Sequence, residues 1–196
     1  MTRVLVVAFF VPLVFPLAAS QPVRFQHLTV DEGLSQDLIT CITQDDPGFM
    51  WFGAEDGLNR YDGYSIRVYK HNDRDSMSLA AKGVACLMAD HRGHVWVGSA
   101  LGAQMIDVRT QTLRQLTISP SGSLLAANCF CQDADSAVWV GTDAGLFRYA
   151  NGGFTQAFLN NRRFTDRVWS MLQDKELLWI VDTIGLRCPS FDRSLC

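Results

Sequence analysis

The sequence lacks the features that mark several common classes of protein. Its net charge is only −3 and no basic cluster exists beyond the pair Arg162-Arg163, which argues against nucleic acid as a partner. It has no glycine-rich phosphate loop, no kinase motif and no convincing nucleophile constellation. After residue 20, no apolar run reaches the length of a transmembrane helix. These absences favour a binding module over an enzyme, and we expect neither a cofactor nor a bound metal.

The first 20 residues read as a signal peptide. Arg3 precedes an apolar run over residues 4–17, and the small residues Ala18, Ala19 and Ser20 follow. Two prolines and the shortness of the run argue against a membrane-spanning helix, although an uncleaved anchor is the alternative. The sequence therefore predicts export to the periplasm, with cleavage after Ser20.

Four tryptophans recur with spacings of 45, 43 and 40 residues. Each lies in a similar phrase, with an aspartate before it and glycines after it. A period of about 40 to 45 residues built from short strands is typical of β-propeller blades. The repeated positions are Trp51, Gly53 and Gly57, then Trp96, Gly98 and Gly102, then Trp139, Gly141 and Gly145, and then Trp179 and Gly185.

The pattern predicts an all-β fold made of four-stranded antiparallel blades. In the first repeat, residues 38–43 and 49–53 are rich in apolar and β-branched residues and are separated by an Asp-Pro-Gly turn. A second pair of short strands follows around the hairpin signal Asp62-Gly63. The predicted segments within 21–186 are a closing strand and lead-in over 21–37, blade 1 over 38–70, blade 2 over 83–118, blade 3 over 126–158 and a partial blade 4 over 168–186.

The two ends of the repeat region depart from the pattern. Residues 24–28 resemble an outer strand without a blade of its own, as expected where a propeller ring is closed by a strand from the other terminus. In the fourth repeat Val181 replaces the glycine, no outer strand is evident, and residues 187–196 form an irregular tail. We therefore expect an incomplete propeller, with a four-bladed ring as the alternative.

The cysteines follow the repeat. Cys41, Cys86 and Cys129 each lie ten residues before a tryptophan, where the fourth repeat has Trp169. This predicts a buried packing position on one strand of successive blades, because free cysteine behaves as a small apolar residue. Whether Cys188 and Cys196 pair stays open.

The first repeat resembles the two-component regulator propeller repeat. The matching residues are 25–28, 31–36 and 39–42, then Gly48-Phe-Met-Trp-Phe-Gly53 and Glu55-Asp-Gly-Leu-Asn-Arg-Tyr-Asp-Gly63. The resemblance extends over about residues 24–186. It implies the periplasmic sensor region of a signalling protein that is anchored in the inner membrane and forms a homodimer. It also implies that this chain is an N-terminal fragment, without the histidine kinase or diguanylate cyclase output domain.

Polar residues in the loops are the candidate binding residues. In propellers, ligands usually bind where the turns between second and third strands meet the segments that lead into the first strands. These positions could hydrogen-bond a polar small molecule or a glycan, or they could be solvated turns. They are Ser35, Gln36, Asp37, Glu55, Asp56 and Asp143.

Other sites and functions receive less support. Asp45-Asp46 and Asp133-Ala-Asp135 suggest turn capping rather than calcium, which needs six to eight oxygens. His91 and His94 lack a third metal ligand nearby. Two alternative functions stay open: a secreted propeller enzyme, such as a lyase or glycan-active enzyme, and a non-catalytic adaptor.

Overall fold

The computed structural model describes residues 25, 27–119, 121–159, 162–174 and 177–188. Strands dominate this part of the chain, and consecutive strands pair into antiparallel sheets in simple sequence order. The prediction of an all-β propeller-blade fold is confirmed. The predicted signal peptide and Cys196 lie outside the described residues.

The first three sheets each contain four strands. A 3-10 turn, Val30–Glu32, precedes the first sheet and is capped by Thr29. Sheet 1 contains β1 Ile39–Gln44, β2 Met50–Ala54, β3 Gly57–Tyr61 and β4 Ile66–Tyr69. Sheet 2 contains β5 Cys86–Ala89, β6 His94–Ser99, β7 Gly102–Asp107 and β8 Thr112–Leu116. Sheet 3 contains β9 Ala127–Gln132, β10 Val138–Thr142, β11 Gly145–Ala150 and β12 Gly153–Gln156.

A two-stranded ribbon separates sheet 3 from sheet 4. The ribbon pairs β13 Phe158–Leu159 with β14 Arg162–Arg163, so Phe158 leaves the outer strand of blade 3 in which the sequence placed it. Sheet 4 has three strands in the described part of the chain: β15 Val168–Asp174, β16 Leu177–Asp182 and β17 Leu186–Arg187.

Arg187 belongs to sheet 4 and not to the predicted tail. It pairs with Ile180, and its guanidinium Nη2 donates to Asp166 at 3.1 Å. Its Nε also lies 2.9 Å from a carboxylate oxygen of buried Asp182. These charged contacts extend the strand by one residue past the predicted boundary.

The core lies between successive sheets, in three apolar clusters. Trp51 packs against Val95 and Val97 of sheet 2. Trp96 packs in the same way with residues of sheet 3, and Trp139 with Leu178 and Ile180 of sheet 4. Each tryptophan is at least 96% buried, so it belongs to the interface with the following sheet and is not a free stacking platform.

The glycine two residues after each of these tryptophans makes room for the next sheet. A Cβ at Gly53 would lie 2.7 Å from Val84 Cγ1, and one at Gly141 would lie 2.5 Å from Val168 Cγ1. Real Cβ atoms essentially never come so close, so only glycine fits without a shift of the neighbouring strand. In sheet 4 the corresponding residue is Val181, whose side chain is 39% exposed.

The alignment of Trp169 with the repeated cysteines is wrong. Cys41 and Cys129 pair with Gly53 and Gly141, but in sheet 4 it is Ser170 that pairs with Val181. The turn between β15 and β16 is one residue shorter, which shifts the count back from the tryptophan. Trp169 instead lies at the β-bulge and is 50% exposed.

The expected outer strand over residues 24–28 is not seen at its described positions. Phe25, His27 and Leu28 lie outside every strand, and Phe25 is 84% exposed. An extended segment becomes a strand only where a neighbouring strand pairs with its backbone. Within the described residues, no helix has both the length and the hydrophobicity needed to cross a bilayer.

Candidate functional site

Two kinds of loop meet at one edge of the sheets, called here the upper edge. They are the turns between second and third strands and the segments that lead into first strands. The turn glycines Gly57, Gly102, Gly145 and Gly185 all have φ between 123° and 139°, a conformation that side chains other than glycine's rarely adopt. A Cβ at Gly145 would also overlap the carbonyl oxygen of Phe164. Turn and lead-in segment are therefore in close contact along this edge.

Buried amides on the third strands hold the lead-in segments in place. Asn59 accepts a hydrogen bond from the Ser35 amide at 2.8 Å and donates to its hydroxyl at 3.0 Å. Gln104 accepts from the Ala80 amide at 2.8 Å and donates to the Ser78 carbonyl at 3.1 Å. Both amides are at least 97% buried. Ser35 is thus engaged with Asn59, a contact that does not involve a ligand.

The other candidate residues in and before sheet 1 differ in how many contacts their side chains make. Asp37 accepts from the Val30 amide at 2.9 Å, and Asp56 accepts from Lys70 at 2.6 Å, a hydrogen bond that lowers the pKa of Asp56. Glu55 is exposed. The Gln36 side-chain oxygen is buried and has no hydrogen-bond partner among the described residues.

Asp143 belongs to a polar and aromatic cluster between sheets 3 and 4. Asn128 donates to its carboxylate at 3.0 Å, and Arg167 Nε lies 2.9 Å away without hydrogen-bond geometry. The Arg167 guanidinium also stacks over Trp169, 3.9 Å from the ring centre. We call Asp143, Asn128, Arg167 and Trp169 the upper-edge cluster; half of the tryptophan surface stays open to solvent.

The structure divides the predicted site residues into two groups. Ser35 lies beside the first turn, since a Cβ on Gly57 would be 3.4 Å from its hydroxyl. Asp143 lies two sheets away in the upper-edge cluster. Sequence reasoning missed Asn128 and Arg167, and it assigned Trp169 to packing because the shortened turn shifted the repeat count.

At the opposite edge, three aspartates cap the turns between first and second strands. Asp45 accepts from the Phe49 amide and from the Trp51 indole, both at 2.8 Å. Asp90 accepts from the His94 amide and from the Trp96 indole, both at 2.9 Å. Asp133 accepts from the Ala137 amide at 2.9 Å and from the Trp139 indole at 2.8 Å. The carboxylates therefore join the turns to the core tryptophans. No group of three metal-ligating side chains occurs among the described residues.

The repeated cysteines are free thiols packed beneath the glycines. Burial raises the pKa of Cys129 to about 12 and that of Cys86 well above its ordinary value. Thiols held neutral in this way are poor nucleophiles and poor metal ligands. Their role in the described part of the chain is packing between strands.

The model of the two-component regulator propeller family matches residues 33–56. A histidine kinase of Formosa agariphila is 41% identical over 56 residues, which cover 29% of this chain and 4% of the kinase. The match lies in a small part of that protein.

Two solved structures from B. thetaiotaomicron share the fold. The extracellular domain of a hybrid two-component system has a TM-score of 0.71 and 23% identity, covering 83% of this chain and 24% of that domain. The extracellular domain of a one-component system has a TM-score of 0.66 and 21% identity, covering 81% of this chain and 22% of that domain. This chain spans less than a quarter of either. Residues 33–56 thus match the two-component regulator propeller repeat, and the four sheets have the fold of β-propeller blades.

Proposed function

We propose that this chain is a ligand-sensing part of an exported propeller in a two-component or related transmembrane signalling protein. The family match supports the signalling context. The observation that carries ligand sensing is the upper-edge cluster, where a half-exposed tryptophan adjoins a carboxylate, a guanidinium and an amide.

The chemistry of this cluster suits a polar ligand with a flat apolar face, such as a sugar ring. Trp169 offers an aromatic surface, while the carboxylate of Asp143 and the side-chain oxygen of Asn128 offer acceptors for hydroxyl groups. Arg167 already contacts both the carboxylate and the ring, which limits the rotamers that these side chains can adopt. A site held in this way loses less entropy when the ligand binds.

Signalling requires more than binding. A ligand shifts a homodimeric sensor between two states only if it binds one of them more tightly. The cluster joins sheets 3 and 4, since Asn128 donates both to Asp143 of sheet 3 and to the Val168 carbonyl of sheet 4. We propose that ligand binding at this junction favours one relative position of the two blades.

The binding test is a thermal-shift assay with four neutral trisaccharides: maltotriose, cellotriose, xylotriose and chitotriose. We expect at least one to raise the melting temperature of the full chain. At a ligand concentration 100 times Kd, binding adds about 2.7 kcal/mol to the free energy of unfolding. Trp169→Ala should abolish the shift. The matched control is Trp179→Ala, a tryptophan of the same sheet outside the cluster. Absence of any shift, or equal shifts in both variants, would contradict the proposal.

The export proposal has a separate test. Residues 1–20 fused to a reporter that folds only outside the cytoplasm should produce active reporter. Mass spectrometry of the secreted chain should find Gln21 at the new amino terminus. An inactive reporter, or a mature protein that keeps Met1, would contradict export by a cleaved signal peptide.

A further inference from the structure

A cavity opens between the lead-in segment of sheet 3 and the ribbon that follows that sheet. Its volume is about 630 Å³, within the range of about 300–1,000 Å³ typical of small-molecule sites. We call it the serine cavity, because Ser119, Ser121 and Ser123 form one wall. Phe158 and Arg163, which pair across the ribbon, also line it.

The neighbouring blades show why the cavity is open here. Asn59 and Gln104 are the third-strand amides that hold the lead-in segments of sheets 1 and 2, through residues 24 positions earlier. The matching third-strand residue of sheet 3 is Phe147, because it pairs with Val140 as Gln104 pairs with Val97. A phenyl ring cannot make those hydrogen bonds. Ser123, 24 residues before Phe147, is therefore not clamped by an amide.

One surface of the cavity is apolar and aromatic. Phe147, Phe154 and Phe158 contribute their rings, and Leu125 lies beside them. Phe147 is 97% buried and belongs to the core cluster between sheets 2 and 3, so this surface is fixed by packing. Such a surface favours a ligand with an aromatic or other flat apolar part.

The polar side chains that line the cavity favour an anion. Arg163 is the only charged residue among the described residues that line the cavity, and its side chain has no ion pair or hydrogen bond within the described chain. The three serine hydroxyls are joined by two hydrogen bonds of 2.8 Å. Three O–H donors with two such bonds leave one hydrogen to donate outside the chain of serines. A carboxylate could accept from this hydroxyl and from the guanidinium together.

We propose that the serine cavity binds a small aromatic carboxylate, with its ring against the phenylalanines and its carboxylate between Arg163 and the serine hydroxyls. The site is separate from the upper-edge cluster and shares no residue with it. It does not depend on the sugar-binding proposal, and the two can fail independently.

The test is isothermal titration calorimetry on the full chain with phenylacetate as the probe. Phenylacetamide is the matched uncharged probe, and acetate is the matched probe without a ring. We expect phenylacetate to bind and both matched probes to bind at least tenfold more weakly. Equal binding of phenylacetate and phenylacetamide, or no binding of phenylacetate, would overturn the proposal.

Two variants of adjacent arginines locate the site. Arg163→Gln should weaken phenylacetate binding by about ten- to hundredfold, the loss expected for a charge-assisted hydrogen bond. Arg162→Gln is the control, since Arg162 is the neighbouring exposed residue of β14 and does not line the cavity. Equal affinities in the two variants would overturn the placement.

A third variant changes the apolar surface and supplies the missing amide together. Phe147→Gln removes one ring from the cavity and introduces the residue that sheet 2 has at this position, so we expect it to abolish phenylacetate binding. Circular dichroism must show an unchanged β-sheet spectrum for this variant. If that variant unfolds, the arginine pair decides the outcome.

Discussion

The aspartate that caps the first blade should contribute far more to stability than its exposed neighbour. Asp45 is 95% buried and accepts hydrogen bonds from the Phe49 amide and the Trp51 indole. The adjacent Asp46 is exposed. The two residues have the same charge and lie in the same turn, so a comparison of their variants separates the hydrogen bonds from the charge.

The expected magnitudes follow from the two donors. Asp45→Ala leaves both without a partner, at about 1–3 kcal/mol each, so the free energy of unfolding should fall by about 2–6 kcal/mol. Asp45→Asn keeps one acceptor oxygen but turns an NH2 group toward the other donor, which should cost about 1–3 kcal/mol. Asp46→Asn should change the free energy of unfolding by less than about 0.5 kcal/mol.

The assay is urea unfolding followed by tryptophan fluorescence. With an m-value of about 1–3 kcal/mol/M, Asp45→Ala should lower the midpoint urea concentration by about 0.7 M or more. A double-mutant cycle with Trp51→Phe isolates the indole bond, and we expect a coupling energy of about 0.5–3 kcal/mol. If Asp45→Asn and Asp46→Asn are equally stable, or if the coupling is zero, the carboxylate does not join turn and core as argued.

Four further predictions concern packing between strands and sheets and association between molecules. Gly141→Ala should destabilise the chain by about 1–3 kcal/mol because its Cβ meets the next sheet, whereas Gly153→Ala, with open space around it, should change the unfolding free energy by under about 0.5 kcal/mol. The pKa of about 12 keeps Cys129 protonated in the folded chain. Peptide mass spectrometry should therefore show that iodoacetamide alkylates Cys129 at pH 8 about 100-fold more slowly in the folded chain than in the chain unfolded by urea. The fold favours the neutral thiol, so the stability that Cys129 contributes is present below pH 9 and falls as pH rises toward 12. Leu172, Leu177 and Leu186 of sheet 4 are each more than half exposed, and we expect the chain to self-associate through them. Leu172→Lys should then lower the mass measured by light scattering; an unchanged mass would exclude Leu172 from the contact.

The fold was predictable because the residue at one repeated sequence position has the same packing role in each of the first three blades. Trp51, Trp96 and Trp139 are each buried against the next sheet, and a residue with that task recurs at the period of the blade. The fourth repeat misled the count because its turn is one residue shorter. A deletion in a turn leaves the strands intact but shifts every position numbered across it, as with Trp169.

The candidate site was predictable only in part. Loop position pointed to Asp143, but its contacts with Arg167 and Asn128 bring together residues 15 to 39 positions apart in the sequence, whose spacing follows no motif. Asn59 and Gln104 carried little signal, because both faces of their strands are buried near the turn: the preceding residues Leu58 and Ala103 are fully buried as well. Alternation along the strand therefore could not mark these two amides as buried or name their partners.

The tryptophans of the first three blades pack toward the following sheet, and this direction has a consequence for the order in which the chain folds. In the first three blades, residues of the blade that follows in sequence cover the tryptophan. During synthesis from the amino terminus, the newest blade on the ribosome therefore always carries an uncovered indole, which becomes buried when the next blade emerges. A pause in translation between Trp96 and the strands of sheet 3 would leave that ring without the apolar side chains that cover it in the folded chain.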